Sequence, residues 1–360
     1  MQDTQTVTQA AGQCHIAGLA VRAVGFSYTS KCNYSCEHCS VECSPERQEK
    51  LDCDAVIARI DEAAALGVRQ IAFTGGECML YAEEILTAVN RAHDNGQLTT
   101  VTTNGFWGAT SERADDIVGR LKKAGLKMLE ISYDALHQKA GSRMAYVDNI
   151  VDACRHWSLG LSVSTLLQSA WCDEDRAILA ALKVRGIEPA TGTVLPYGAA
   201  YKHLPVDRTY YRRFETEKMY GCHGIGMMNY ASDGSLLPCC GQGVGDTMKG
   251  PMTDHFVLGK VTDSLAANLE AARDNLFLLV LGVLGPHGFV LLNEEYGNYV
   301  CLPQEIHNPC DICIISTRDE RFQDFMGELA KDREAIVRRI CRCHDVLNRW
   351  GIAKCELVSR

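Results

Sequence analysis

Gly25-Phe26-Ser27-Tyr28-Thr29-Ser30-Lys31-Cys32-Asn33-Tyr34-Ser35-Cys36-Glu37-His38-Cys39 runs from a short β-rich segment straight into three closely spaced cysteines. Gly25 to Tyr28 reads as a first strand, so the cysteines occupy the loop at its C-terminal end. Three thiolates this close suit a cubic iron–sulfur cluster better than a disulfide or a zinc site. Three ligands also leave one iron open, and an open iron can bind a substrate or cofactor directly. The alternative is a chance cluster of buried thiols, since the chain has 18 cysteines in 360 residues and free cysteine is among the most buried residue types.

Outward from this loop, residues 21 to 205 alternate β-rich runs with helical ones, the pattern of a parallel sheet covered by helices. Apolar Val56, Ile57, Ile60, Ala64 and Ala65 give Asp54 to Leu66 a helical spacing closed by Gly67. Gln70 to Thr74 reads as a second strand. A helix over Glu83 to Asn95, a strand over Thr99 to Thr103, a helix over Ser111 to Ala124 and a strand over Lys127 to Ser132 follow. Leu161 to Leu167 is strand-like, and Val194-Leu195-Pro196-Tyr197-Gly198 reads as a last strand and its exit. The expected class is α/β: a partial (βα)6 TIM-like barrel over 21–205 after an N-terminal extension, 1–20. In such folds the working residues sit at the C-terminal strand ends.

Those ends carry a second set of signals. The second strand ends in Thr74-Gly75-Gly76-Glu77, the third in Thr102-Thr103-Asn104-Gly105, the fourth in Ser132-Tyr133-Asp134. Each taken singly is an ordinary loop start. Together with Cys32, Cys36 and Cys39 they resemble the radical S-adenosylmethionine (SAM) enzymes. That resemblance implies a [4Fe–4S] cluster whose open iron is chelated by SAM, which one electron cleaves to methionine and a 5′-deoxyadenosyl radical that abstracts a hydrogen atom from the substrate. It implies that Gly75, Gly76 and Glu77 meet the amino group of the cofactor, the glycines permitting close approach. Thr103, Asn104, Ser132 and Asp134 would meet its ribose and carboxylate, and Arg143 is a candidate for the carboxylate, with a solvent-facing arginine as the alternative. His38 stands where the family usually has an aromatic residue beside the adenine, and Ser164 is a further candidate contact.

Beyond Pro205 the composition changes, and 206–325 reads as a smaller α+β domain before a C-terminal helix, 326–360. Asp233-Gly234 between apolar runs signals a hairpin. Cys222 and Cys239 flank it, and Cys310-Asp311-Ile312-Cys313 supplies a later pair. Four thiolates close one auxiliary [4Fe–4S] cluster, or one structural zinc. The arrangement resembles the SPASM and twitch extensions of radical SAM barrels. No cysteine follows Cys313 until Cys341, so the one-cluster twitch form fits better than the two-cluster SPASM form. Cys240 and Cys301, nearest this site in sequence, are candidates for a swapped ligand or a hydrogen-atom donor. Cys14, Cys43, Cys53, Cys78, Cys154 and Cys172 read as ordinary thiols. Cys341 and Cys343 point apart on a helix and make a poor metal site.

A net charge of −9 with no Lys/Arg run argues against nucleic acid. The start of the chain lacks a signal-peptide layout, so a reducing cytoplasm is expected. The longest apolar stretch, Leu276 to Leu292, is interrupted at Gly285-Pro286 and is too short to span a membrane; it reads as a buried helix followed by a turn. The resemblance implies a flavodoxin- or ferredoxin-type electron donor and either of two substrates. One is a ribosomally made peptide receiving a crosslink, thioether or D-residue. The other is a small molecule such as an aminoglycoside, oxidised or epimerised. Peptide maturases often begin with a leader-binding domain, and here fewer than 30 residues precede the first strand, which weighs against a peptide. The run Phe256 to Val261 followed by a Leu-rich helix is shared with many maturases and tips the expectation towards one. A non-catalytic iron–sulfur electron carrier is the reading from another class, but it has no use for Gly75-Gly76-Glu77 or an open iron.

Overall fold

The computed structural model describes residues 15–16, 19–168, 172–209, 214–215, 224–239, 256–272, 275–297, 299–300, 305–306 and 310–349. Six parallel strands follow the expected alternation. They are β1 (Ala23–Ser27), β2 (Gln70–Thr74), β3 (Leu98–Thr103), β4 (Met128–Ser132), β5 (Gly160–Leu167) and β6 (Ala190–Thr193), each hydrogen-bonded to the next in chain order. The helices between them are α1 (Cys53–Ala65), α2 (Ala82–Asp94), α3 (Ser111–Lys123), α4 (Ala135–Lys139), α5 (Met144–Trp157) and α6 (Asp173–Val184). Local chemistry starts several of them: the side chains of Asp52, Thr110 and Asp134 accept from the amides of Ala55, Arg113 and His137, satisfying donors that a helix N-terminus otherwise leaves open.

Strand alternation decides which residues face the helices. Val24, Phe26, Ile71, Phe73, Val101, Leu129, Ile131 and Val163 are buried under them. Fully burying side chains of this size stabilises by about 1.5–3 kcal/mol each. The alternate positions line the concave face of an open, partial barrel.

Residues beyond 205 extend this sheet. β7 (Met227–Tyr230) adds in parallel to the free edge of β1, and β8 (Ser235–Leu237) and β9 (Gly259–Lys260) continue antiparallel, giving nine strands in the order β9-β8-β7-β1-β2-β3-β4-β5-β6. The β7–β8 hairpin turns at Asp233-Gly234 as expected, with Gly234 at φ +84°. Tyr230 stacks on Phe26 across the new edge with ring centroids 5.4 Å apart. A buried arginine fixes the junction: Arg59 on α1 donates to the carbonyls of Val261 (2.8 Å) and Asp263 and pairs with Glu62 (2.7 Å).

Two local expectations are corrected. Val194 to Gly198 is not a strand; β6 ends at Thr193, and the following residues turn away to α7 (Ala199–His203). Leu276 to Leu292, expected as a helix followed by a turn, is two helices, α8 (Leu276–Val283) and α9 (Gly285–Glu295), because Gly285 takes φ +68° and Pro286 stands in the first turn of a second helix. Phe277, Phe289, Phe322 and Phe325 interlock around these helices with centroid separations of 5.1 to 6.0 Å. Among the described residues no helix is long and apolar enough to cross a membrane.

Candidate active site

The cysteine loop closes over the C-terminal ends of β1 to β5 and borders a cavity of about 300 Å³, at the small end of ligand pockets. Cys32, Cys36, Cys39, His38, Gly75, Gly76, Thr103, Asn104 and Ser132 all line it. Burial pushes the Cys32 thiol up to about 11 and the Cys36 thiol higher still. A cluster held by these two thiols would therefore displace their protons. Backbone amides already point at the sulfurs: Tyr34 N lies 3.4 Å from Cys32 Sγ and Cys43 N 3.3 Å from Cys39 Sγ.

Gly75 and Gly76 weld the strand end to the cysteine loop. Gly76 N donates to Thr29 O (2.6 Å) and Glu77 N to Lys31 O (2.9 Å). Gly75 adopts φ +139°, and a Cβ there would stand 2.6 Å from Thr29 O; a Cβ at Gly76 would collide with the Lys31 carbonyl. Glycine is therefore required here by chain-to-chain packing, independently of any cofactor.

Glu77 does not line the cavity. It is fully buried, and its carboxylate accepts from Met79 N (2.9 Å), Thr103 Oγ1 (2.9 Å) and Asn104 N (2.7 Å). Asn104 in turn reaches the cysteine loop, its Nδ2 lying 2.9 Å from Asn33 Oδ1 and 3.7 Å from Cys32 Sγ. Glu77 thus ties the ends of β2 and β3 to each other and, through Asn104, to the first cysteine.

Asp134 is likewise buried behind the wall. Its Oδ2 lies 2.8 Å from His137 Nδ1 and 3.4 Å from His38 Nε2. Burial would raise its carboxyl, but the two histidines outweigh burial and hold it well below the usual range. With Nε2 of His38 turned to Asp134, its Nδ1 is buried and has no hydrogen-bond partner among the described residues. The ligand atoms of His38, Asp134 and His137 lie within 4.8 Å of one another, a spacing that also suits a cation.

Arg143 is exposed at the start of α5, outside the cavity lining. Ser164 pairs in register with Ser132 and shares its face, but does not itself line the cavity. Sequence reasoning passed over Cys43, Tyr34, His137, Ser27, Thr74, Thr102 and Leu166, which with Ser40 and Val41 complete the cavity wall. Cys43, read as an ordinary thiol, packs with Cys32, Cys36 and Cys39. Its place four residues after Cys39 was the available signal.

Of the later cysteines, Cys222, Cys240 and Cys301 lie outside the described residues. Cys239 follows β8, and Cys310 and Cys313 open a helix, α10 (Cys310–Arg318). That helix docks on the exit from β6: Tyr197 OH bonds Asp311, and Cys310 packs beside Tyr197 and Ile314. The same exit touches the first site, Ala199 N donating to Cys39 O at 2.9 Å. None of the described cysteines is in a disulfide.

The residues present fit a three-cysteine cluster with a polar ligand beside it: three thiols share one cavity with strand-end hydroxyls and an orphaned, buried imidazole nitrogen. The family model described as "Radical SAM superfamily" matches residues 26–160, the span from β1 to the start of β5. The chain is 23% identical over 301 residues to a "Putative peptide biosynthesis protein YydG" of Bacillus subtilis, covering 81% of this chain and 91% of that one. It is 27% identical over 199 residues to a GTP 3′,8-cyclase of Ectopseudomonas mendocina, covering 52% of this chain and 58% of the cyclase. Among solved structures, "Native anSMEcpe with bound AdoMet" superposes with a TM-score of 0.51 at 12% identity, over 88% of this chain and 99% of that one, which speaks to fold.

Proposed function

This chain is a radical SAM enzyme, and from that premise we propose that it matures a ribosomally made peptide by crosslinking, thioether formation or epimerisation. The supporting observation is the extent of the match to the putative peptide biosynthesis protein, which spans 91% of that relative and includes most of the chain beyond the barrel. The family binds a [4Fe–4S] cluster and SAM, which together supply a radical able to take a hydrogen atom from an unactivated carbon.

Cys32, Cys36 and Cys39 hold the cluster in this reading. The Gly75-Gly76 backbone, Thr103, Asn104 and Ser132 position SAM, and His38 offers its unpartnered Nδ1 to a polar edge of it. Asp134 orients His38 from behind, as outer-shell carboxylates orient ligating histidines. Glu77 holds the Gly-Gly turn and Asn104 in register. The cavity wall keeps water from a reactive centre. Cys222, Cys239, Cys310 and Cys313 hold one auxiliary cluster, docked through Tyr197 and Asp311 on the loop that also touches Cys39.

The test is anaerobic. The reconstituted full chain is incubated with SAM, a reductant and each short peptide encoded beside its gene, and products are read by mass spectrometry and chiral amino-acid analysis. A modified peptide with matching 5′-deoxyadenosine is expected. Unchanged peptides alongside an oxidised or epimerised aminoglycoside would move the assignment to small molecules.

A further inference from the structure

Strand alternation turns one acidic side chain onto the concave face, on the strand positions below the cavity. Ser132 lines the cavity and Leu129 and Ile131 are buried under the helices, so Glu130 shares the concave face with Ser132, two residues deeper, or about 7 Å along the strand. In register it lies between Thr102 on β3 and Ser162 on β5. The concave positions around it are small: Gly25, Ala72, Thr100, Ser162 and Ser164. Glu130 is the only ionisable residue at the concave positions of β1 to β6. Small side chains on β1, β2, β3 and β5 leave space on this face, and β4 lies between β3 and β5.

Glu130 is half-buried, and no described residue hydrogen-bonds to it or pairs with it. Burial alone raises its carboxyl, with no cation among the described residues pulling it back. A partly desolvated, unpaired carboxylate costs free energy unless a partner arrives. The fold keeps this one among small side chains on the concave face, in a chain of net charge −9.

We propose that Glu130 is the specificity-determining contact for a cationic group of the substrate, a lysine or arginine side chain of the peptide lying on the concave face beneath the radical site. The peptide identity rests on the function proposed above; the carboxylate–cation contact does not.

The test uses the anaerobically reconstituted full chain as wild type, Glu130→Gln and Glu130→Lys, each with wild-type iron content and melting behaviour. If Glu130→Lys fails to fold, the isosteric Glu130→Gln decides alone. Each is used to select from a random displayed peptide library, and kanamycin binding is titrated in parallel as a small polycationic probe. Wild type should enrich peptides carrying Lys or Arg. Those peptides should bind Glu130→Gln about ten- to a hundredfold more weakly, as expected for losing a bond to a charged group, and Glu130→Lys should select acidic peptides instead. Enriched peptides without a basic residue, or an unchanged preference in Glu130→Gln, would overturn the Glu130 assignment and leave the peptide reading standing. Kanamycin binding that weakens in Glu130→Gln, with no peptide enriched, would uphold Glu130 and overturn the peptide reading. Glu130-independent behaviour of both probes sinks the assignment.

Discussion

Replacing Glu77 should damage the fold and the cofactor site together, although its side chain does not line the cavity. Three donors converge on its buried carboxylate, from Met79, Thr103 and Asn104, at 2.9, 2.9 and 2.7 Å. In Glu77→Gln one acceptor oxygen becomes an NH2 group, so at least one of these donors is stranded, costing about 1–3 kcal/mol. Glu77→Ala strands all three and should cost at least about 3 kcal/mol on the same scale. Burial lifts this carboxyl from 4.5 to about 7, against the three donors, which pull it down. A raised carboxyl means that the fold holds the proton more tightly than the unfolded chain does. That contribution is present below about 4.5 and is lost as pH rises through about 7. Urea unfolding of the cluster-free protein, followed by circular dichroism across this pH range, should therefore show stability falling with pH in the wild type and a flatter profile in Glu77→Gln. SAM affinity of the reconstituted variants should fall as well, because Asn104 loses its tether. A Glu77→Gln protein within about 0.5 kcal/mol of wild type, with the same pH slope and unchanged SAM affinity, would refute the reasoning.

Changing Cys222, Cys239, Cys310 and Cys313 together to alanine should lower reconstituted iron from about eight to about four atoms per chain while leaving the first cluster's spectrum in place; an unchanged count would show that the ligand set is wrong, and zinc in place of the lost iron would show a structural metal. Asp134→Ala removes the acceptor shared by His38 and His137 and should weaken SAM binding about tenfold or more, read by equilibrium dialysis. Wild-type affinity would mean that His38 needs no such support. Arg59→Met removes the bonds joining α1 to residues 261 and 263 and should destabilise the chain by about 1.5–3 kcal/mol without changing cluster content. Equal melting of variant and wild type would show the junction is held elsewhere.

The barrel was legible in sequence because its signals are local. Alternating strands such as Gln70 to Thr74 and helices with spaced apolar residues announce themselves within a dozen positions, and capping residues such as Thr110 mark their starts. Boundaries strayed where local signals conflict, as at Val194 to Gly198, where an apolar run continues past the point at which the chain leaves the sheet. The break in the apolar run from 276 was legible at Gly285-Pro286, but the helix after it was not, because these residues permit a second helix as readily as a turn.

The site divided in the same way. Cys32, Cys36 and Cys39 and the Gly75-Gly76 turn were readable because adjacent residues on one loop must share one place. Glu77 was placed in the right neighbourhood but its task was not visible: only the arrival of β3 beside β2 brings Thr103 and Asn104 to its carboxylate. Arg143, offered by the resemblance for the cofactor carboxylate with a solvent-facing arginine as the alternative, is exposed, since a helix start and a cavity wall look alike in sequence. His137 and Cys43 were missed because each matters through a partner, Asp134 or the cluster cysteines.

By itself the sequence determined the chemistry available: which thiols can hold an iron–sulfur cluster, and that strand ends carry the groups around it. Tertiary structure decided which of those groups touch one another. Hydrogen bonds and burial depend on distances between strands that are neighbours in space and remote in sequence. That dependence makes Glu77 and Asp134 supports behind the wall and leaves Glu130 as the single ionisable side chain at the concave positions of β1 to β6.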